Sequence, residues 1–226
     1  MDLSIFDIVG PVMVGLSSSH TAGTAKLARI AAQIAGNNFI EVSFGLHGSL
    51  AKTGQGHGTP KALLAGAIGI YEDDERLRDA YLYAKAKNIK YSFYEAELDD
   101  CHENTALITF KYKNGKERNI QGSSIGGGRI VITKIDGTDT NISAECPTIM
   151  LTHRDIPGMV SEISRVLTEN NINIGIMRVS RKIKGDKATT VIETDSVISD
   201  DIVGRLERIN GILNVCVINP TYKEAQ

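Results

Sequence analysis

The order of predicted secondary-structure elements in the C-terminal third of the chain constrains the fold more than any other feature. A new periodic block of apolar residues begins at Pro147 and continues nearly to the end of the sequence. This block predicts strands at 148–152, 172–183, 188–195 and 212–218, and helices at 158–169 and 199–209. The resulting order, βαββαβ, is the split βαβ arrangement of ferredoxin-like folds.

The preceding part of the chain has the mixed pattern of an α/β domain, although residues 5–14 carry no clear pattern. Helical spacing and alternation predict helices around 24–36, 60–70 and 75–87 and strands at 39–46, 90–98, 105–113, 116–125 and 129–135. Residues 47–59 form a predicted glycine-rich loop, and the polar stretch 137–146 contains the predicted boundary. The sequence thus predicts an α+β protein with a mixed α/β domain at 1–145 and a ferredoxin-like domain at 146–226.

Composition argues against several classes of partner. The 25 basic and 27 acidic residues are well mixed and leave a net charge of -2, which is unlike a nucleic-acid or anionic-membrane binder. Residues 1–10 carry acids where a secretory signal has basic residues, and no apolar run approaches the ~20 residues of a membrane span. We therefore expect a cytoplasmic protein.

Three widely spaced cysteines, Cys101, Cys146 and Cys216, fit a reducing compartment rather than a disulfide framework. Three thiolates are also enough to hold an iron-sulfur cluster with one open iron. Because Cys216 falls within the apolar strand predicted at 212–218, we prefer the interpretation that all three are ordinary cysteines and that the chain holds no metal.

The C-terminal block resembles an ACT domain over residues 147–226. Asp155 and Gly158 stand where the first strand gives way to a helix, and an amide-rich step at 170–174 precedes the second strand. ACT domains pair side by side and bind small amino acids at the shared interface, so the resemblance implies self-association and an effector site. The implied effector residues are Asp155, Gly158, Met159 and Asn173. Alternatively, Gly158 only permits a tight turn, Asp155 caps the helix, and the domain only pairs.

A run of hydroxyls and an imidazole precedes the first predicted helix. The unpaired N–H groups and positive end of a helix start attract an anion such as a carboxylate. A second segment with hydroxyls, imidazoles and glycines, 47–59, follows a strand, where α/β sheets tend to place ligands. The candidate residues are Ser17, Ser18, Ser19, His20 and Thr21 in the first segment, and Gly48, Ser49 and His57 in the second. The alternative is one capping serine and ordinary surface histidines.

Together with the stretch 122–128, these segments resemble the β domain of bacterial iron-sulfur serine dehydratases over residues 1–145. Because an ACT-like block is attached, the resemblance is to the two-subunit form of this family, in which a separate α chain is catalytic. Leu16 and Thr24 stand where that family usually has proline. The glycines at 126–128 favour a hairpin turn over a phosphate cradle, because a strand rather than a helix follows them.

The resemblance implies a subunit of an enzyme that converts L-serine, through aminoacrylate, to pyruvate and ammonia. It places a [4Fe-4S] cluster on the partner α chain and leaves this chain to complete the pocket, inactive alone. We hypothesise that His20 and His57 donate hydrogen bonds or carry protons, while Ser17, Ser18, Ser19, Thr21, Gly48 and Ser49 hold substrate groups. The general base stays open. The alternatives are an amino-acid-sensing regulatory subunit, by analogy with phosphoglycerate dehydrogenases, or a scaffold for the α chain.

Overall fold

The computed structural model describes residues 13–36 and 38–219. Most of the segment 5–14, for which the sequence gives no pattern, lies outside the described residues, as do the N-terminal ten. The chain divides into two compact units, Met1–Ser143 and Ala144–Gln226. Whether these units are domains that fold on their own stays a prediction.

The first unit is a six-stranded sheet with helices packed against it. Its helices are α1 (Gly23–Ala35), α2 (Gly48–Thr53), α3 (Thr59–Ala67) and α4 (Ala80–Ala86). Its strands are β1 (Phe39–Leu46), β2 (Lys90–Glu95), β3 (Thr105–Tyr112), β4 (Glu117–Gly126), β5 (Arg129–Ile135) and β6 (Thr138–Ile142). Strands β1 and β2 are parallel and the other neighbours are antiparallel, in the order β2-β1-β3-β4-β5-β6.

Helix α1 packs against the sheet of this unit, and this packing fixes the position of the first turn of the helix. The residues at helical spacing, Leu27, Ile30 and Ala31, are fully buried, as the pattern predicts. Gly122 in β4 leaves room for Leu27, because a Cβ at that glycine would lie 2.6 Å from a methyl carbon of Leu27. The start of α1 is therefore held close to the sheet.

Several local predictions for this unit were wrong. The predicted loop 47–59 contains α2, and the predicted helix 75–87 is a 3-10 segment, Glu75–Asp79, followed by α4. The predicted strand 90–98 ends at Glu95 as β2. The polar stretch 137–146 contains β6, which forms a hairpin with β5 because Asp136 and Gly137 both adopt positive φ, 49° and 72°, as a tight hairpin turn requires.

The second unit has the predicted βαββαβ order. It comprises β7 (Thr148–Arg154), α5 (Met159–Glu169), β8 (Ile174–Arg181), β9 (Lys187–Thr194), α6 (Asp200–Glu207) and β10 (Ile212–Ile218). Its antiparallel sheet has the order β10-β7-β9-β8. Apolar residues of both helices and the central strands form one core, including Leu151, Ile163, Leu167, Ile192 and Leu206. The α+β fold class is confirmed. Within the described part of the chain, no helix is long and apolar enough to cross a membrane.

Candidate active site

The hydroxyl-rich run forms a widened helical turn at the start of α1. A π turn, Ser18–Ala22, leads into the helix, and the Ser17 side chain caps it by accepting a hydrogen bond from the His20 N–H at 3.0 Å. The N–H of Gly23 donates to the carbonyl of Ser18, five residues back. Such turns are rare in proteins and are frequent at functional sites.

The peptide of His20 is fixed from two sides. Its carbonyl oxygen accepts hydrogen bonds from the hydroxyls of Thr24, at 2.7 Å, and Thr59, at 2.8 Å. A proline at position 24 could not make this hydrogen bond, because proline has no hydroxyl. Because Thr59 begins α3, the backbone of His20 is held relative to a second helix as well as to its own.

Helix α2 brings a second set of hydroxyls to His20. It begins at Gly48, whose φ of +54° is the left-handed conformation that glycine adopts most readily. Ser49 and Thr53 are four residues apart and so share one face of this helix. The Nε2 of His20 lies 3.2 Å from Ser49 Oγ and 3.1 Å from Thr53 Oγ1.

One tautomer of His20 satisfies the hydrogen bonds around its ring together. When the Thr53 hydroxyl donates to the Ser49 carbonyl at 2.9 Å, its oxygen accepts from His20 Nε2. With the proton on Nε2, the Nδ1 of His20 accepts from the Ser19 hydroxyl at 3.1 Å. The Ser17 hydroxyl lies 3.4 Å from that of Ser19. A series of hydrogen-bonding groups therefore extends from the Ser17 cap through the His20 imidazole to α2.

His57 lies beside His20 with the opposite arrangement of its ring nitrogens. The two ring centroids are 5.0 Å apart, with an angle of 41° between the planes. Because the Thr53 carbonyl can only accept, the Nδ1–H of His57 donates to it at 3.1 Å. In the neutral ring this leaves a lone pair on Nε2, which has no hydrogen-bond partner among the described residues. The side chain of His57 is exposed.

The environment keeps His20 neutral. Burial lowers its pKa below the ordinary value of 6.5, the neighbouring His57 lowers it further, and the contact with Ser49 opposes both effects. A neutral His20 at physiological pH agrees with the tautomer that the hydroxyls assign. The site thus presents a fixed N–H at His20 and an accessible lone pair at His57.

The C-terminal unit contains the four residues predicted to bind an effector, but they do not meet in one copy of the chain. Asp155 Oδ2 accepts from the Gly185 N–H and from the Arg181 guanidinium, both at 2.8 Å. These two donors, the Gly185 N–H first, hold the pKa of Asp155 below its usual value. The alternative role of Asp155 as a helix cap is wrong, since Gly158, with φ of +91°, occupies the cap position without a side-chain hydrogen bond.

Asn173 lies at the other end of strand β8 from Asp155. Asp155 is bound to Arg181, the last residue of β8, whereas Asn173 directly precedes the first residue of that strand. At ~3.3 Å per residue the two are about 25 Å apart along the strand. Asn173 donates to Asp195 at 2.6 Å, and the side chain of Met159 is buried against Gly211. One small molecule cannot contact both ends within one copy.

Comparisons with known proteins assign the chain to a family. The model of the serine dehydratase beta chain family matches residues 4–90, and the model of the ACT domain matches residues 148–212. The L-serine dehydratase beta chain of Peptoniphilus asaccharolyticus is 39% identical over 202 residues, which are 89% of this chain and 91% of that protein. The chain belongs to the serine dehydratase beta chain family.

Two further relatives extend this result. A probable L-serine dehydratase beta chain of Bacillus subtilis (strain 168) is 39% identical over 215 residues, 95% of this chain and 97% of that one. A D-3-phosphoglycerate dehydrogenase of Synechocystis sp. (strain ATCC 27184 / PCC 6803 / Kazusa) is 25% identical over 210 residues, 91% of this chain but only 36% of the dehydrogenase. The serine dehydratase beta chain as a whole is therefore similar to part of a different enzyme.

In this member of the family, the structure brings together most of the residues predicted from its N-terminal motifs. Ser17, Ser19, His20, Ser49 and His57 form the connected cluster described above, with the half-buried Ser18 beside them and Gly48 at the start of α2. Thr21 differs, because its side chain is buried and its hydroxyl donates to the His57 carbonyl at 2.9 Å. We therefore assign Thr21 to positioning His57 rather than to holding substrate.

The third segment that carries the family resemblance lies behind the π turn. The hydroxyl of Ser124 is fully buried and packs against Gly23, where a Cβ would come within 2.0 Å of it. Gly126, Gly127 and Gly128 all have positive φ and connect β4 to β5, so they form the hairpin turn that the sequence favours.

Two residues of the site were not among the predicted ones. Thr53 contacts His20, and Glu103 lies against Gly48, whose missing Cβ would come within 2.6 Å of the Glu103 carboxylate. The spacing of four residues between Ser49 and Thr53 would have identified Thr53 once 48–53 was recognised as a helix. No local pattern identifies Glu103, because 54 residues of sequence separate it from Ser49.

The cysteines of this serine dehydratase beta chain do not form a ligand set. Within 13–36 and 38–219, no three histidine, cysteine, aspartate or glutamate side chains lie where they could hold one metal ion. Cys101 belongs to the first unit, while Cys146 and Cys216 belong to the second. These donors do not fit an iron-sulfur cluster, so we assign no step of chemistry on this chain to such a group.

Proposed function

We propose that this chain is the β subunit of an L-serine dehydratase that forms pyruvate and ammonia together with a separate α chain. In this proposal the α chain carries the [4Fe-4S] cluster, and the β chain is inactive alone. The observation that carries the proposal is the pair of imidazoles, His20 and His57, 5.0 Å apart at a capped helix start. None of the three cysteines forms a disulfide within the described residues, which supports a cytoplasmic location.

The start of the π turn would bind the substrate carboxylate. The first N–H groups of a helix lack partners within it and favour negative charge. The Ser18 hydroxyl is half-buried there and makes no hydrogen bond to any residue that the structure describes. A carboxylate at this turn would accept from both kinds of donor, as anions commonly do at helix starts.

The two imidazoles have different roles in the proposed reaction. The α-proton of serine is weakly acidic, so its removal needs a base with a free lone pair within hydrogen-bond reach. His57 has such a lone pair on Nε2, in an exposed side chain whose ring is fixed through Thr53. His20 holds its Nε2 proton toward Ser49 and Thr53, and its Nδ1 lies 3.1 Å from the Ser19 hydroxyl, so both of its ring nitrogens are already occupied. We infer that His57 accepts the proton and that His20 positions the hydroxyls that line the site.

The ACT unit would bind a small amino acid between two copies of the chain. Asp155 and Gly158 lie at one end of β8 and Asn173 at the other, so a complete set of contacts needs Asn173 from a second copy. The backbone N–H of Met159, at the start of α5, would meet the ligand carboxylate, since the Met159 side chain is buried.

A regulatory role without chemistry is the second candidate. It is supported by the likeness of 91% of this chain to a part of a phosphoglycerate dehydrogenase, a different enzyme. In that case loss of His57 would alter the response to an amino acid and leave turnover intact. In the dehydratase case the same change abolishes turnover and leaves binding intact.

Reconstitution tests the proposal. The chain would be purified alone and co-purified with the proposed α chain, and pyruvate formed from L-serine would be measured under anaerobic conditions. We expect turnover only with both chains present. Turnover by the α chain alone at the same rate would contradict an active-site role for the β chain.

A further inference from the structure

The segment 97–105 is fixed along one side of the candidate active site. The His47 N–H donates to the Thr105 carbonyl at 3.0 Å, and the Ser49 N–H donates to the Glu103 carbonyl at 2.8 Å. The Leu98 N–H donates to Nδ1 of His47 at 3.2 Å. These three bonds join the segment to the turn that carries Ser49, whose hydroxyl contacts His20.

Glu103 places its side chain against Gly48, the residue next to Ser49. A Cβ at position 48 would lie 2.6 Å from the Glu103 carboxylate and 2.7 Å from its carbonyl oxygen. The glycine therefore leaves the space that Glu103 occupies, in addition to adopting the positive φ at the start of α2. The position of this carboxylate is consequently tied to the motif that carries Ser49.

The carboxylate of Glu103 has no ion pair or hydrogen bond to the described residues. The side chain is exposed. The other side chains of the cluster are hydroxyls and neutral or basic imidazoles, which carry no negative charge. The carboxylate of Glu72 is 3.3 Å from the guanidinium of Arg29 in α1 and so already has a cationic partner. Glu103 is thus a carboxylate without a cationic partner among the described residues, at the side of the site that Ser49 forms.

An α-amino acid brings two opposite charges to such a site. The helix start suits its carboxylate, but its ammonium group has three donors and requires acceptors, preferably an anion. We infer that Glu103 binds the α-ammonium group of the substrate and makes the site selective for L-serine over acids that lack an ammonium group. This inference rests on the proposed function. In the alternative role, Glu103 only stabilises the start of α2 through the positive end of that helix.

The test uses the complex of this chain with its α chain, comparing wild type with Glu103→Gln. The variant keeps the size of the side chain and removes its charge. We expect the KM for L-serine to rise about 10- to 100-fold, as for a lost charge-assisted hydrogen bond, with kcat within about twofold. Inhibition by 3-hydroxypropanoate, which is L-serine without its ammonium group, should be unchanged. Glu97→Gln, an exposed acid in the same segment, is the control and should leave both constants unchanged.

The possible outcomes separate the two claims. If Glu103→Gln leaves the KM for L-serine unchanged, the ammonium-binding role is overturned while the proposed function stands. Equal weakening of L-serine and 3-hydroxypropanoate would likewise overturn it, since a structural role affects both ligands. If the wild-type complex does not turn over L-serine at all, the proposed function fails, and this inference fails with it.

Discussion

His20 is constrained at the level of single atoms. Hydroxyls from Thr24 and Thr59 hold its carbonyl, and hydroxyls from Ser19 and Thr53 occupy its two ring nitrogens. The pKa of His20 is lower in the folded chain than its ordinary value of 6.5, so the folded chain binds a proton at His20 more weakly than the unfolded chain does. As the pH falls below 6.5, protonation of His20 therefore favours unfolding. The site is therefore organised around a neutral imidazole and loses stability when acidified.

The protonation of His20 gives a prediction that does not depend on turnover. We expect its pKa, followed by NMR titration of the imidazole signals, to lie below 6.5 because of burial and the nearby His57. The His57→Gln variant should raise this pKa toward the ordinary value while keeping a donor for the Thr53 carbonyl. Gln55→Ala, an exposed change in the same turn, is the control. A His20 pKa above 6.5 in the wild type would contradict the assigned arrangement.

The sequence identified some residues of the site and not others, for a physical reason. Ser17 and His20 stand at a helix start, which is a local signal that capping chemistry explains. Their approach to Ser49 and His57 was expected from the position of the second segment after a strand, where α/β sheets place ligands, and from the family resemblance. Glu103 was missed because its contact with Gly48 arises from the pairing of β1 with β3, which places distant parts of the chain side by side.

Helices α1 and α3 approach each other more closely than most side chains allow. Gly66 in α3 faces α1, and a Cβ at this position would lie 2.0 Å from the carbonyl oxygen of Ala25. That oxygen belongs to the backbone, so no rotamer change relieves the clash. This contact sets the position of Thr59, at the start of α3, whose hydroxyl supports His20.

Replacing Gly66 by alanine should therefore destabilise the first unit. We expect a loss of about 1–3 kcal/mol in the free energy of unfolding, measured by urea denaturation, because the helices must separate to admit the methyl group. Gly204→Ala in α6 is the matched control, since open space surrounds that helical glycine. There the higher helix propensity of alanine should stabilise by about 0.5–1 kcal/mol. An equal effect at both positions would refute the packing argument.

Element boundaries followed the hydrophobic pattern where it was strong. Strands β5 and β10 begin and end where the sequence predicts, because each is an apolar run between turns. Helix α2 was missed because it is short, polar and flanked by glycines, and its helicity depends on bonds to the segment 97–105. Strand β6 was missed because it is polar, although the Asp136-Gly137 turn signal was present.

At the scale of the whole molecule, the proposed function places chemistry and regulation in separate units. The first unit, Met1–Ser143, contains the clustered hydroxyls and imidazoles, whereas the second, Ala144–Gln226, has a βαββαβ core of its own. The ACT domain matched at residues 148–212 coincides with that second unit.

The effector proposal can be tested on the full chain without its partner. We expect calorimetric titration with L-serine to show binding to paired chains, and Asn173→Ala to weaken it about tenfold by removing one hydrogen-bonding amide. Sedimentation should show the same pairing for both proteins. Asn210→Ala, an exposed asparagine in the same unit, is the control. Unchanged affinity in Asn173→Ala would remove that residue from the effector site.

The measurement that tests the central claim most directly is pyruvate formation from L-serine by the complex containing His57→Gln. The account predicts that kcat falls at least 100-fold, because glutamine keeps the bond to the Thr53 carbonyl but cannot take the proton. Assembly with the α chain and thermal stability should match the wild type. A variant complex that turns over L-serine at the wild-type rate would contradict the assignment of this cluster to the active site.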